Sequence, residues 1–226
     1  MNKKILKKSV NGKNGLTYLS IDPGCRHTGW SISTMTPSGK LRVINHGVFE
    51  HNYSPEENAT FFKSILASNF VVLIEDPPII RTNASTSHVL GKIFGCILGV
   101  ISTSNVMACV KIAPRVWQHS LLHDQYALAK KDGFPLTAKQ KDLLIKAVVN
   151  KNITRKKDIL NVHVLDTIGM VLYYCKRNGH TIESVNLIDA LKTTKPKRKY
   201  TRRKVSDIEI QEIIDDLQNT DQSSCI

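Results

Sequence analysis

The sequence predicts a mixed α/β domain, one sheet with helices on its faces, and three observations carry that prediction. Short alternating segments separated by tight turns fill residues 16–50, the pattern of antiparallel hairpins. Two further apolar runs, residues 70–75 and 106–112, are set off by stretches of helical period, the pattern of crossover units. Everything after residue 113 that is periodic is helical. The expected architecture is a five-stranded mixed sheet, three antiparallel strands and then parallel ones, flanked by helices. The order of the strands is not readable from the sequence.

Each element has a local reason. Residues 16–22 have a β-like pattern and are stopped by Pro23-Gly24. Residues 29–34 alternate and read as a second strand. Pro37-Ser-Gly-Lys40 is a turn, and residues 41–50 form the third strand. Ser54-Pro55-Glu56-Glu57 offers an N-cap, a first-turn proline and a capping-box glutamate, so a helix runs from there to about residue 68. Residues 70–75 are continuously apolar up to Glu75, as in a buried central strand. Leu90, Ile93, Phe94 and Ile97 lie at helical spacing within a helix over residues 86–102. Pro114 opens a short helix holding Trp117, and Thr137-Ala-Lys-Gln140 is a second capping box. A last core helix is expected over residues 157–176.

A chain of 226 residues with 41% hydrophobic content can build one full domain and still carry tails. Residues 1–14 hold five lysines and no acid, and are expected to form a basic flexible arm. The folded domain is expected over residues 15–178, with a basic and then acidic extension over residues 179–226. Within that extension, residues 192–204 carry eight positive charges and residues 205–226 carry six acids. The net charge is +13, of which residues 15–191 keep +6. A polyanionic partner follows from that balance. No continuous apolar run reaches the ~18 residues of a membrane span, so no membrane association is expected. No apolar segment follows the basic N-terminus as in a secretory signal, so a cytoplasmic location with the DNA is expected. Five scattered cysteines without C-x-x-C spacing read as reduced thiols.

Four polar residues interrupt the apolar segments. Asp22 ends the first strand and Glu75 ends the fourth. His163 and Asp166 lie three apart in a segment apolar nearly all round, so they share one face of a buried helix. Asp158, eight residues before Asp166 and roughly 80° round the helix, is a further candidate ligand. A buried carboxylate is costly unless a cation neutralises it. Three converging carboxylates in a basic protein therefore point to hard divalent cations and phosphodiester chemistry. A pair of Mg²⁺ ions, or Mn²⁺, would suit such oxygen donors. The histidine could ligate, orient water or move a proton. Candidate phosphate contacts are Arg26, Arg81, Lys92, Lys111, Arg115, Lys139, Lys141, Arg155, Lys156 and Lys157.

These motifs together resemble the RuvC-like Holliday-junction resolvases of the RNase H-like superfamily. Ile21-Asp-Pro-Gly-Cys-Arg-His-Thr-Gly-Trp30 resembles the first motif of that family, and Leu73-Ile-Glu75 the second. Leu90-Gly-Lys-Ile-Phe-Gly-Cys-Ile-Leu-Gly99 is similar to its central helix, and Ala113-Pro-Arg-Val-Trp-Gln-His-Ser-Leu121 to the segment after the fifth strand. His163-Val-Leu-Asp-Thr-Ile-Gly169 resembles its last motif. The likeness runs in order over residues 16–176. It implies an RNase H-like fold and a homodimeric, Mg²⁺-dependent endonuclease that nicks two strands across a four-way DNA junction. In that resemblance Asp22, Glu75 and Asp166 are metal ligands, and His163 is a ligand or proton-transfer group. Two other readings stay open: an RNase H-like nuclease acting on flaps or RNA–DNA hybrid, and a junction-binding module without catalysis. Clustered carboxylates beside phosphate argue against the second.

Overall fold

The computed structural model describes residues 16–77, 84–131, 136–154, 161–185 and 190. The strands are β1 (Thr17–Asp22), β2 (His27–Met35), β3 (Leu41–Glu50), β4 (Phe70–Glu75) and β5 (Ala108–Ile112). The helices are α1 (Pro55–Ile65), α2 (Ala84–Ser102), α3 (Pro114–Leu121), α4 (His123–Lys131), α5 (Ala138–Asn152) and α6 (Val162–Arg177). The sheet order is β3-β2-β1-β4-β5. β1, β2 and β3 pair antiparallel, while β4 lies parallel to β1 and β5 parallel to β4. This is the mixed sheet the sequence predicts, in the RNase H-like arrangement.

The sheet separates two apolar clusters. Leu19, Ile21, Val72 and Ile74 pack with α1 and α2 on one face. Tyr18, Val71, Leu73 and Ile112 pack with α3, α5 and α6 on the other. Side chains alternate along a strand. Asp22 therefore shares the face of Tyr18, and Glu75 that of Val71 and Leu73. Both acids point to the α6 side, while Asp76 is exposed and its N–H bonds to the Ile112 carbonyl.

Several boundaries differ from expectation: β2 spans His27–Met35 rather than 29–34, and α2 begins at Ala84 rather than 86. α1 ends at Ile65 rather than near 68, and β5 begins at Ala108 rather than 106. α4 has no strong pattern of its own and is not predicted by the sequence; it follows α3 after a single residue. α6 begins at Val162 rather than near 157, because Asn161 caps it by accepting from the His163 N–H. The packed unit also runs past the expected boundary at 178. Ile182 and Val185 pack on the core, Ala190 is fully buried, and Asn152 exchanges hydrogen bonds with the Glu183 backbone. Those apolar residues are spaced singly, so no periodic signal marks them.

α2 departs from expectation in another way. It is the one helix among the described residues long and apolar enough, by length and composition, to cross a membrane. Lys92 and His88 interrupt the run in sequence. Leu90, Ile93, Ile97 and Ile101 seat it on the sheet.

Candidate active site

β1 and β4 are parallel neighbours in register, with Ile21 opposite Ile74. Their last residues, Asp22 and Glu75, therefore emerge side by side at one end of the sheet. α6 crosses the same end over an unusually smooth floor. On β1 and β2 the residues facing it include Ser20, Ser31, Ser33 and Gly29, all small. A Cβ on Gly29 would lie 2.7 Å from the His163 Cβ and carbonyl oxygen. No residue larger than glycine fits there without moving the helix. Close approach has a cost, because the buried hydroxyls of Ser20, Ser31 and Ser33 have no hydrogen-bond partner.

That approach delivers His163 and Asp166 to the two strand-end acids. His163 Nδ1 lies 2.8 Å from Asp22 Oδ2. A carboxylate can only accept, so the imidazole donates from Nδ1. This bond raises the pKa of His163 above its ordinary value, despite the opposing effect of burial. Glu75 is pushed up to about 8, first by burial and then by the charge of Asp22. Asp166 is pushed up to about 7 by burial, Asp22 and Asp142. The effect of Asp142 places the first turns of α5 near the same end.

One partner is not foreseen by the sequence. The indole Nε1–H of Trp117 donates to Glu75 Oε2 at 2.8 Å. Trp117 is fully buried on α3, which starts directly after β5. The sequence places it on a short helix and carries no signal of what its N–H meets.

The donor chemistry fits a hard divalent cation. The acids are oxygen donors. On top of burial, the charges of Asp22 and Asp166 raise the pKa of Glu75 and that of Asp22 raises the pKa of Asp166, so Glu75 and Asp166 are destabilised by carrying charge in the fold. Hydrogen bonds occupy Asp22 Oδ2 and Glu75 Oε2, leaving the second oxygen of each for a ligand. As the side chains stand, no three His, Cys, Asp or Glu residues among those described already form a cage round one point.

The basic candidates divide. Arg115 is exposed in the first turn of α3, and Lys139 and Lys141 lie in the first turn of α5. Arg26 is exposed in the β1–β2 loop and hydrogen-bonds Tyr53, whose ring it also covers. These sit at the acidic end of the sheet. Lys111 is exposed one residue before the end of β5. Lys92 does not join them; it lines a groove of about 700 Å³ between α1 and α2 on the opposite side. Arg81, Arg155, Lys156, Lys157 and Asp158 lie outside the described residues, as do Pro78, Ile79 and Ile80.

Known proteins bear on the fold. No protein-family model and no curated protein matches the sequence. Among solved structures, Thermus thermophilus RuvC in complex with Holliday junction substrate matches at a TM-score of 0.52 and 16% identity, over 73% of this chain and 97% of that one. A second structure of Thermus thermophilus RuvC matches at a TM-score of 0.52 and 17% identity, with the same coverage. The fold is that of RuvC. Nearly all of RuvC is matched, and about a quarter of the present chain lies beyond the RuvC fold.

Proposed function

We propose that this protein is a structure-selective, metal-dependent DNA endonuclease that resolves four-way junctions by paired nicks. One observation carries the reading: Asp22, Glu75 and Asp166, brought from three segments of the chain, lie close enough at one end of a RuvC-type sheet for Asp22 to act electrostatically on the other two, with His163 hydrogen-bonded to Asp22. One buried and two half-buried acids set close together cost a fold stability unless a cation neutralises them. The relation to solved RuvC structures, one of them bound to a Holliday junction, supports the same substrate class.

Asp22, Glu75 and Asp166 would hold Mg²⁺ or Mn²⁺, two ions in the full site, which would supply Lewis-acid activation of water and stabilisation of the leaving oxygen. The residues themselves do the rest. Glu75, turned by Trp117, presents one oxygen at the mouth of the site. His163, protonated on Nδ1 and held by Asp22, keeps the opposite nitrogen for a proton at the attacking water or the leaving group. Exposed Arg115 and Lys139, with half-buried Lys141, would position phosphates at the same end without reading sequence.

Paired nicks require two active sites, and we infer a homodimer. Gly91, Gly95 and Gly99 form a line on α2, where a Cβ would meet nothing within 4 Å, and only 17% of the helix's most apolar window is buried. That open apolar face supports a second copy as its cover. The basic arm over 1–14 and the basic run over 192–204 would then add phosphate contacts. Cys25, Cys96, Cys109 and Cys175 are free thiols, as suits a cytoplasmic enzyme acting on DNA.

The test is strand-resolved cleavage of a labelled immobile four-way junction, beside duplex, flap and RNA–DNA hybrid, with Mg²⁺ and with EDTA. Symmetric metal-dependent nicks on the junction are expected. Cuts on flaps or hybrid alone would keep the site and change the substrate, and junction binding without cuts would leave a binding module.

A further inference from the structure

We propose that Trp117 is a positioning residue that ties Glu75 to α6, fixing the separation of Glu75 and Asp166 at which both can ligate one divalent cation. The proposal rests on the metal-nuclease reading above and extends it to a residue with no chemistry of its own.

Three contacts make the case. The indole has one donor, Nε1–H, and it is spent on Glu75 Oε2 at 2.8 Å. The far edge of the same ring enters a notch in α6, where a Cβ on Gly169 would lie 2.7 Å from Trp117 Cζ3. Gly169 follows Asp166 by three residues, so it lies one turn along nearly the same side of the helix. A single rigid bicycle therefore spans from the carboxylate on β4 to the helix that carries the next carboxylate. The base of α3 is tied to the same place, because the Asp76 N–H bonds to the Ile112 carbonyl at 2.9 Å.

The chemistry of the donor matters as much as the reach. Asp22 is held by an imidazole that can carry charge. Glu75 is held by a neutral N–H, which orients the carboxylate and leaves its full charge available to a cation. Burial and the neighbouring acids push Glu75 toward protonation, and the indole opposes them. Phenylalanine would fill part of the same space without the donor, while Gly169→Ala disturbs the far edge of the ring with the donor intact, so the two substitutions separate the hydrogen bond from the packing.

The experiment uses the full chain with Trp117→Phe. Three quantities are measured: the Mg²⁺ concentration for half-maximal junction cleavage, Mn²⁺ binding by electron paramagnetic resonance without DNA, and the thermal midpoint in EDTA. Loss of an outer-shell partner is expected to weaken metal binding by about 10–100-fold, with cleavage restored at saturating Mg²⁺ and the midpoint in EDTA little changed. Gly169→Ala, which pushes the ring with its donor intact, is expected to act in the same direction, and its effect on metal binding is expected to disappear in the Trp117→Phe background. Unchanged Mn²⁺ binding in Trp117→Phe, or additive effects of the two substitutions, would overturn the proposal. Should Trp117→Phe not fold, the native protein still answers. The ¹⁵N-indole resonance of Trp117 is expected to move on Mg²⁺ addition and to lose that response in Glu75→Gln, and an indole indifferent to Mg²⁺ ends the idea. A native protein that binds Mn²⁺ but cuts no junction defeats the functional reading alone. Glu75→Gln with intact Mn²⁺ binding removes Glu75 from the metal set and this proposal with it.

Discussion

The two faces of the central sheet are built on opposite principles. Toward α1 and α2 the strands present Leu19, Ile21, Val72 and Ile74, all aliphatic and all buried. Toward α6 the sheet keeps Tyr18, Val71 and Leu73, but it also presents Ser20, Ser31, Ser33 and Gly29 on β1 and β2 and ends in Asp22 and Glu75. The first face gains from burial of large apolar side chains. The second gives up part of that gain along β1 and β2, leaves hydroxyls unpaired and gathers acids, and obtains in exchange a helix close enough to bring His163 onto Asp22. Both faces carry an apolar core, but only the α6 side also carries the acids, and that division can be broken by experiment.

The largest effect should come from the acids. Asp22→Asn, Glu75→Gln or Asp166→Asn is expected to reduce cleavage to background while junction binding survives. In EDTA the thermal midpoint of Glu75→Gln or Asp166→Asn should not fall, because each substitution relieves repulsion among buried carboxylates. Ile93→Ala on the other face should do the reverse. Ile93 is fully buried against the sheet, so its truncation should cost about 2–5 kcal/mol, with cleavage per folded molecule retained. Acids whose removal destabilises the metal-free fold would contradict the division.

Glycines sharpen the comparison. Gly29→Ala places a Cβ 2.7 Å from His163 and must displace α6; overpacking of this kind costs ~1–3 kcal/mol, and cleavage should fall further than stability does. Gly95 on the outer side of α2 meets nothing within 4 Å. Gly95→Ala should raise monomer stability by up to about 1 kcal/mol through helix propensity, read from chemical denaturation. Light scattering on the same variant tests whether that face carries the dimer.

The acids also predict a pH dependence with a definite sign. Glu75 and Asp166 have folded-state pKa values of about 8 and 7, above their ordinary 4.5 and 3.8. Between those limits the folded protein binds more protons than the unfolded chain, so stability falls as pH rises. His163, also raised, loses its contribution as pH passes its folded pKa, in the same direction. Thermal midpoints in EDTA should therefore decline from about pH 4 to about pH 8 on account of these groups. Added Mg²⁺ should stabilise most at the upper end, where the carboxylates are ionised. A midpoint in EDTA that does not fall over that range in the native protein, or that falls equally in Glu75→Gln, would show that the acids are not strained.

The sequence carries this division unevenly. Asp22 and Glu75 are legible because an apolar strand that stops on an acid is a local event. His163 and Asp166 are legible because an otherwise apolar helix makes a polar pair conspicuous. Trp117 is legible as a core residue only, since its partner lies 42 positions away and nothing local selects it. Gly29 and Gly169 are of the same kind: each is required by a ring or helix that arrives from elsewhere. The start of α6 at Val162 is not legible from periodicity, because residues 157–160 share the helical period in sequence and only the capping bond of Asn161 marks the first turn. The strand order β3-β2-β1-β4-β5 depends on crossovers, which leave no periodic trace.

The smallest effect separates the cations of the two faces. Arg115 begins α3 at the acidic end of the sheet, and Lys92 lies in the α1–α2 groove on the far side. Both are exposed, so neither substitution should disturb folding. If phosphates approach only the acidic end, Arg115→Ala should lower the slope of log affinity against log salt by about one unit, uniformly across junction sequences. Lys92→Ala should leave the slope unchanged. Equal losses at both positions would mean that the junction wraps the sheet. The apolar face would then share in DNA binding, and the second copy inferred against α2 would have to leave Lys92 open.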